Sequence, residues 1–187
     1  MEPALVVQAQ NGDQRAFDAL ARGLAVRFHS VAHRILQDPD LAQDATQQAL
    51  ISIWRDLPRL HDPSRFEAWS YRLLVRACYK EGAARRRWDF RSADVVGVAP
   101  VVPDATNTVV DHDRLQRGFA RLSVEHRTVV VLHHYLGQTQ GEVAETLGIP
   151  VETVRSRLRH AMRGLRAAID ADDRSEPIKH ARQGVTS

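Results

Sequence analysis

The chain has 187 residues, 43% hydrophobic and only 6% aromatic, with a net charge of +3 and a single cysteine. That length admits one domain or two small ones, while one cysteine excludes an intramolecular disulfide and a zinc site built from several cysteines. No apolar run reaches bilayer-spanning length and no signal-peptide pattern opens the chain, so a cytoplasmic protein without direct membrane insertion is expected.

Charge is unevenly spread. Arg85–Arg91 holds four arginines against one aspartate, and Val151–Ala167 holds five arginines against one glutamate. Between them, Ser92–Arg114 holds four aspartates and one arginine. Such a layout suits two contacts with a polyanion, or two solvated basic faces.

In chain order, Phe17, Leu20, Leu24, Phe28, Val31 and Ile35 form the apolar stripe of a first helix. Asp38-Pro39 reads as a cap and first position of a second helix, running to about Leu57. A break at Pro58–Ser64 precedes a third helical pattern through Phe66, Trp69, Leu73 and Ala77. Cys78 falls in that pattern and reads as a small core residue. Arg72, Arg76 and Lys80 recur on another face, with Tyr71 beside them and Arg85, Arg86 and Arg87 extending the strip. Arginine and lysine at that spacing can track phosphates. Trp69 offers a stacking surface or belongs to the core; Trp88 and Phe90 either stack on bases or close the core. Residues Ser92–Asn107 lack a sustained period and read as a tether, although Val95–Val102 can pack locally.

A second domain starts near Asp111, with Leu115, Phe119 and Leu122 on one helix. Ser123 caps the next, which carries Val129, Val130, Leu132 and Tyr135. Thr139 and Glu142 have capping-box spacing, Gly148 supplies a corner, and Pro150 opens a basic helix. There Val154, Leu158, Met162, Leu165 and Ile169 recur at three- or four-residue intervals, leaving five arginines outside. That is a helix-turn-helix pattern suited to a DNA duplex. Arg155 and Arg159 form a same-face pair for base edges, while Arg157 and Arg163 suit phosphates. Glu152, Thr153 and Ser156 can tune the readout. The expected architecture is all-α. Two small helical domains (1–91 and 111–170) are joined by a flexible linker (92–110) and followed by a flexible tail (171–187).

His126, His133 and His134 share one helix, yet their spacing and the lack of a nearby carboxylate or cysteine cluster argue against a metal site. No phosphate-binding loop, dinucleotide fingerprint or nucleophile–base–orienter set occurs. No catalytic residue, cofactor or metal is expected.

Four segments, GDQRAFDAL, DPDLAQDATQQALISIWRDL, FEAWSYRLLVRACYKEGAARRR and LSVEHRTVVVLHHYLGQTQGEVAETLGIPVETVRSRLRHAMRGLR, stand in this order with a short linker between modules. Over roughly Gly12–Ala168 the chain resembles a sigma-70 superfamily RNA polymerase sigma factor of the extracytoplasmic-function group. The resemblance implies bacterial core RNA polymerase and promoter DNA as partners, and an anti-sigma factor as a regulator. It places Asp44, Gln47, Gln48, Ile51, Trp54 and Arg55 on the polymerase-clamp helix, with Gln48 where many relatives carry an acid. It assigns Trp69, Tyr71, Arg72, Arg76, Lys80 and Arg85–Arg87 to the opened −10 region, and Leu60–Phe66 to the pocket for a flipped base. It assigns Glu152, Thr153, Arg155, Ser156, Arg157, Arg159 and Arg163 to the −35 element. The polymerase flap would then pack near Val129, Leu132 and Tyr135. The competing reading is a conventional helix-turn-helix regulator with an N-terminal interaction domain.

Overall fold

The computed structural model describes residues 3–92 and 109–175. An N-terminal module holds α1 (Pro3–Gln10), α2 (Gln14–Leu36), α3 (Pro39–Asp56) and α4 (Phe66–Ser92), with single 3-10 turns at Leu57–Arg59 and Pro63–Arg65. A C-terminal module holds α5 (Val109–Ala120), α6 (Val124–Val130), a π-helical turn at Val131–Tyr135, α7 (Gln140–Leu147) and α8 (Val151–Ser175). Among the described residues there is no strand.

The helix boundaries follow from local chemistry. Asp13 accepts from the amides of Arg15 and Ala16 at 2.9 and 3.1 Å and so starts α2. Gln37 ends that helix in the left-handed region at φ 58°, and Asp38 at once starts α3 by accepting from the amides of Asp40 and Leu41. Ser123 caps α6. Both halves of the Thr139–Glu142 capping box form, and Gly148 stops α7 at φ 66°, where a side chain would be strained.

In the N-terminal module α3 packs against both α2 and α4. Ala42, Ala45, Ala49 and Ile53 face inward with no exposed surface. They meet Leu20, Leu24, Phe28, Val31 and Ile35 from α2, and Leu74, Val75 and Cys78 from α4. Burial raises the Cys78 thiol to about 12, so it stays protonated and behaves as an apolar group. In α8 the buried seam is Val154, Leu158, Ala161, Leu165 and Ala168. Ala161 takes the place expected of Met162, which is 38% exposed.

Several expectations need correcting. Helix α1 adds an element to the expected architecture; Val6 and Ala9 bury it against the module. Tyr71 is a core residue, 2% exposed, with its ring 5.4 Å from Phe28 and the Arg27 guanidinium 5.9 Å above it. Trp88 is 70% exposed and closes no core, because α4 continues past the helices that cover its first turns. Helix α8 runs to Ser175, so the first residues assigned to the tail are helical. The linker segment 93–108, the end of the tail (176–187) and the side chain of Phe90 lie outside the described residues.

The two modules touch. Helix α4 packs on α6 and α7, and α2 packs on α6. A β-carbon on Gly82 would lie 3.3 Å from a methyl of Val124 and 3.5 Å from Leu36, so the glycine sets how near α6 can come.

Asp38→Ala should cost about 1 kcal/mol of stability through loss of the α3 cap, whereas Asp38→Asn should retain most of it. Urea unfolding of both variants checks this. A second expectation concerns His126, whose ring stacks on His160 at 6.1 Å. Burial, then His160 and the Arg157 charge, hold His126 below its ordinary 6.5, against an opposing pull from Glu125. The unfolded chain therefore takes up a proton that the folded chain resists. This contribution to stability is intact above about pH 6.5 and is lost as pH falls below it. Between about pH 7.5 and about pH 5.5 the urea midpoint should drop more for the parent chain than for His126→Gln.

Candidate polymerase and nucleic-acid interfaces

Burying the alanine side of α3 turns its opposite side outward. Asp44, Gln47, Gln48, Ile51, Trp54 and Arg55 are all exposed there. Ile51 and Trp54 show 49% and 51% of their surface, an apolar patch among polar neighbours. Trp54 is held at its edge by Phe17, ring centroids 4.6 Å apart and nearly perpendicular. Arg55 makes a two-pronged pair with Asp56, both contacts at 2.9 Å.

The second surface begins at the chain segment joining α3 to α4. Asp62 accepts from the amide and hydroxyl of Ser64 at 2.9 and 2.6 Å, which fixes the turn and holds the carboxyl below its usual range. Gln10 on α1 donates its carboxamide to the carbonyls of Leu57 and Leu60 at 3.2 and 2.7 Å. A helix that precedes every sequence motif thus braces this segment. The result is a cleft of about 300 Å³ whose walls include Leu60, His61, Asp62, Trp69 and Arg72. Trp69 is half-buried, tilted against Phe66 at 5.9 Å, and still lines the cleft. Arg76, Lys80, Arg85, Arg86 and Arg87 continue the surface along α4, all exposed. Arg85 approaches Asp38 at 3.4 Å. Arg72 departs from this pattern. Its Nε donates to the carbonyl of Thr146 at 3.1 Å and its terminal nitrogen to that of Glu145, both at the end of α7.

The third surface is on α8. Arg155, Arg159, Arg163 and Arg166 recur every three or four residues and share one open groove with His133, His134 and Met162. Arg155 is oriented by Gln140, whose carbonyl oxygen accepts at 3.1 Å, and by Glu152. The sequence grouped Arg163 with Arg157, but Arg163 stands with Arg155 and Arg159. Arg157 is half-buried on another side, where its charge reaches Glu125 and His126. Glu152 is exposed, and Thr153 and Ser156 are partly so.

Val129 and Leu132 are fully buried, which removes them from any contact surface; Tyr135 remains 48% exposed. His133 bonds through Nδ1 to the carbonyl of Gln138 at 2.6 Å. Among the described residues no three potential ligands gather into a metal-binding group, and no helix is long and apolar enough to cross a membrane.

Both modules match known proteins. The profile of Sigma-70 region 2 matches residues 20–89, and that of Sigma-70, region 4 matches residues 118–167. The ECF RNA polymerase sigma factor SigL of Mycobacterium tuberculosis is 32% identical over 166 residues, covering 85% of this chain and 94% of that protein. The RNA polymerase sigma-H factor of Pseudomonas aeruginosa is 28% identical over 179 residues, covering 89% and 90%. Among solved structures, CnrH in complex with the cytosolic domain of CnrY has a TM-score of 0.65 at 27% identity, covering 91% of this chain and 97% of that one. The sigma factor RpoE of Bartonella quintana, in complex with the anti-sigma factor NepR, shares the fold at a TM-score of 0.66 and 20% identity, covering 83% and 98%. Two matched regions in the expected order, and a relative of this identity over nearly its whole length, place the chain in the extracytoplasmic-function group of the sigma-70 family, as an alternative sigma factor that gives RNA polymerase its promoter recognition.

Proposed function

We infer that the three surfaces divide the work of promoter recognition. The exposed α3 side, with Asp44, Gln47, Gln48, Ile51, Trp54 and Arg55, docks on the polymerase clamp. The groove of α8, with Arg155, Arg159 and Arg163, meets the −35 duplex, where Glu152, Thr153 and Ser156 adjust which bases are accepted. The Leu60–Phe66 segment, Trp69, Arg72, Arg76, Lys80 and Arg85–Arg87 take the separated −10 strand. Trp88, exposed at the end of the same strip, adds a further stacking surface. Tyr71 supports this surface from within, and Arg157 supports the packing of α8.

The observation that carries this reading is the convergence of Arg155, Arg159, Arg163 and Arg166 on one groove of the helix-turn-helix. Four guanidinium groups on one face are matched to a phosphate-lined major groove. Bond-making belongs to the polymerase, and the protein works in the cytoplasm as a positioning factor without a cofactor of its own. The relative solved with an anti-sigma factor supports a similar inhibitory partner here, one that would cover the α3 side.

Reconstitution with core polymerase and a promoter library, with transcript starts mapped, tests the whole reading. Sequence-specific DNA binding without polymerase-dependent initiation would instead identify a conventional regulator. On the clamp side, Asp44→Arg combined with Gln48→Lys should weaken core association at least tenfold, about 1.4 kcal/mol, with helicity unchanged; fluorescence anisotropy against core polymerase measures it. On the DNA side, Arg155→Ala and Arg159→Ala should each alter −35 base preference by about 1–3 kcal/mol. Arg76→Ala and Lys80→Ala should instead weaken binding to preopened promoter complexes and flatten their salt dependence. Equal losses for all four variants on closed and preopened DNA would reduce both surfaces to a diffuse basic field.

A further inference from the structure

The wall of the −10 cleft is held in two different ways. Its downstream half closes on itself. Asp62 accepts from the amide and hydroxyl of Ser64, and the Arg65 amide donates to the Asp62 carbonyl at 3.1 Å. Its upstream half draws on another element. There the Leu60 amide reaches back to the Leu57 carbonyl at 3.1 Å, and the chain leaves the 3-10 turn extended at Leu60, φ −74° and ψ 108°. The Gln10 carboxamide nitrogen spans that change of direction. It donates to Leu57 at 3.2 Å on one side and to Leu60 at 2.7 Å on the other, which uses both of its hydrogens. Gln10 is the last residue of α1, which packs on both 3-10 turns and is anchored by the buried Val6 and Ala9. Just beyond it Gly12, at φ 90°, turns the chain toward the Asp13 cap of α2. The carboxamide is thus delivered from a fixed frame.

Water satisfies a surface carbonyl almost as well as an amide does, so these bonds add little net stability. What they do is select one path for the chain. Leu60, His61 and Asp62 line the cleft beside Trp69, and the exposed His61 stands between the two braced halves. A binding site discriminates only when its groups are held to within about 0.5 Å of the productive geometry. We propose that Gln10 is a positioning residue for −10 recognition: by tying the carbonyls of Leu57 and Leu60 to the end of α1, it fixes the wall against which a displaced base is read and so helps set which base is accepted. Gln10 precedes the residues matched by the region 2 profile, 20–89, so part of the selectivity of the cleft resides outside that region. This role rests on the assignment of the cleft to the −10 strand.

The test uses the full-length chain bound to core polymerase and preopened promoters carrying each base in turn, or an abasic site, at every −10 position. Gln10→Met keeps the length of the side chain without its donors, Gln10→Glu replaces the donors by acceptors, and Gln10→Lys restores a donor. Gln10→Met should reduce discrimination between the preferred base and the others by about fivefold, the order expected for one lost hydrogen bond. Gln10→Glu should lose at least as much, and Gln10→Lys should return to within about twofold of the parent. Binding to the abasic promoter, core affinity and −35 preference should stay unchanged. A ratio between bases does not depend on the active fraction, so partial unfolding cannot mimic the effect. Equal losses on every base and on the abasic promoter would reduce Gln10 to a structural residue and overturn the proposal. Matching behaviour of Gln10→Met and Gln10→Lys would assign the effect to shape rather than donated hydrogens, and would overturn it as well. His61→Ala and Trp69→Ala separate the two levels. If they change −10 discrimination while Gln10→Met and Gln10→Glu do not, the positioning role fails and the cleft assignment stands. If none of the four changes it, the cleft assignment fails and the role of Gln10 fails with it.

Discussion

The side of α3 made by Ala42, Ala45, Ala49 and Ile53 fixes the N-terminal module. Small side chains at successive turns let α3 approach α2 and α4 closely, so the three helices share one packed interior rather than two partial ones. Because that side is committed inward, the polar and aromatic residues between must point outward. The exposed Ile51 and Trp54 are thus a product of the packing, and their orientation is as rigid as the helix that carries them. Placing the proposed polymerase-docking surface on the back of a core helix gives it the precision of the core. Replacing an alanine by a larger residue would tilt α3 and misplace the surface without touching any residue in it.

Electrostatics play a different part on each surface. On α8, Arg155 is already oriented by Gln140 and Glu152, so for the proposed −35 contact part of the ordering cost of a long side chain would already be met. On α4, Arg76 and Lys80 are exposed and suit phosphates of any sequence. Arg72 lies between these cases. It is partly buried and satisfied by backbone carbonyls rather than by a side chain. An arginine held in this way keeps its charge and can exchange one oxygen partner for another.

Much of this was legible in the sequence because the signals are local. Asp38-Pro39, Ser123, Thr139 with Glu142, and Gly148 each act within a single turn, and each appears at the helix end it marks. The stripe of α2 was equally plain. Tyr71 was misplaced although its spacing carried the answer: it stands three, four and seven residues before Leu74, Val75 and Cys78, all buried. The arginines beside it belong to a different side of the helix. Helix α1 is eight residues long with no acidic first turn and no basic last turn, so little marks it before Val6 and Ala9 find a core to enter. The contact of Arg72 with the end of α7 has no sequence signature at all. Its acceptors are main-chain carbonyls more than seventy positions away, and any residue could supply them.

The state of Cys78 has a consequence for stress signalling. Oxidants read by proteins through sulfur need a thiolate that solvent can reach, and commonly a second thiol to resolve the oxidised one. Here the only sulfhydryl is sealed beneath α2 and α3, stays protonated and has no partner cysteine in the chain. Peroxide or disulfide stress therefore cannot be registered through this polypeptide's own thiol chemistry. Information of that kind has to arrive already converted, as a change in what binds the protein or in how much of it is made.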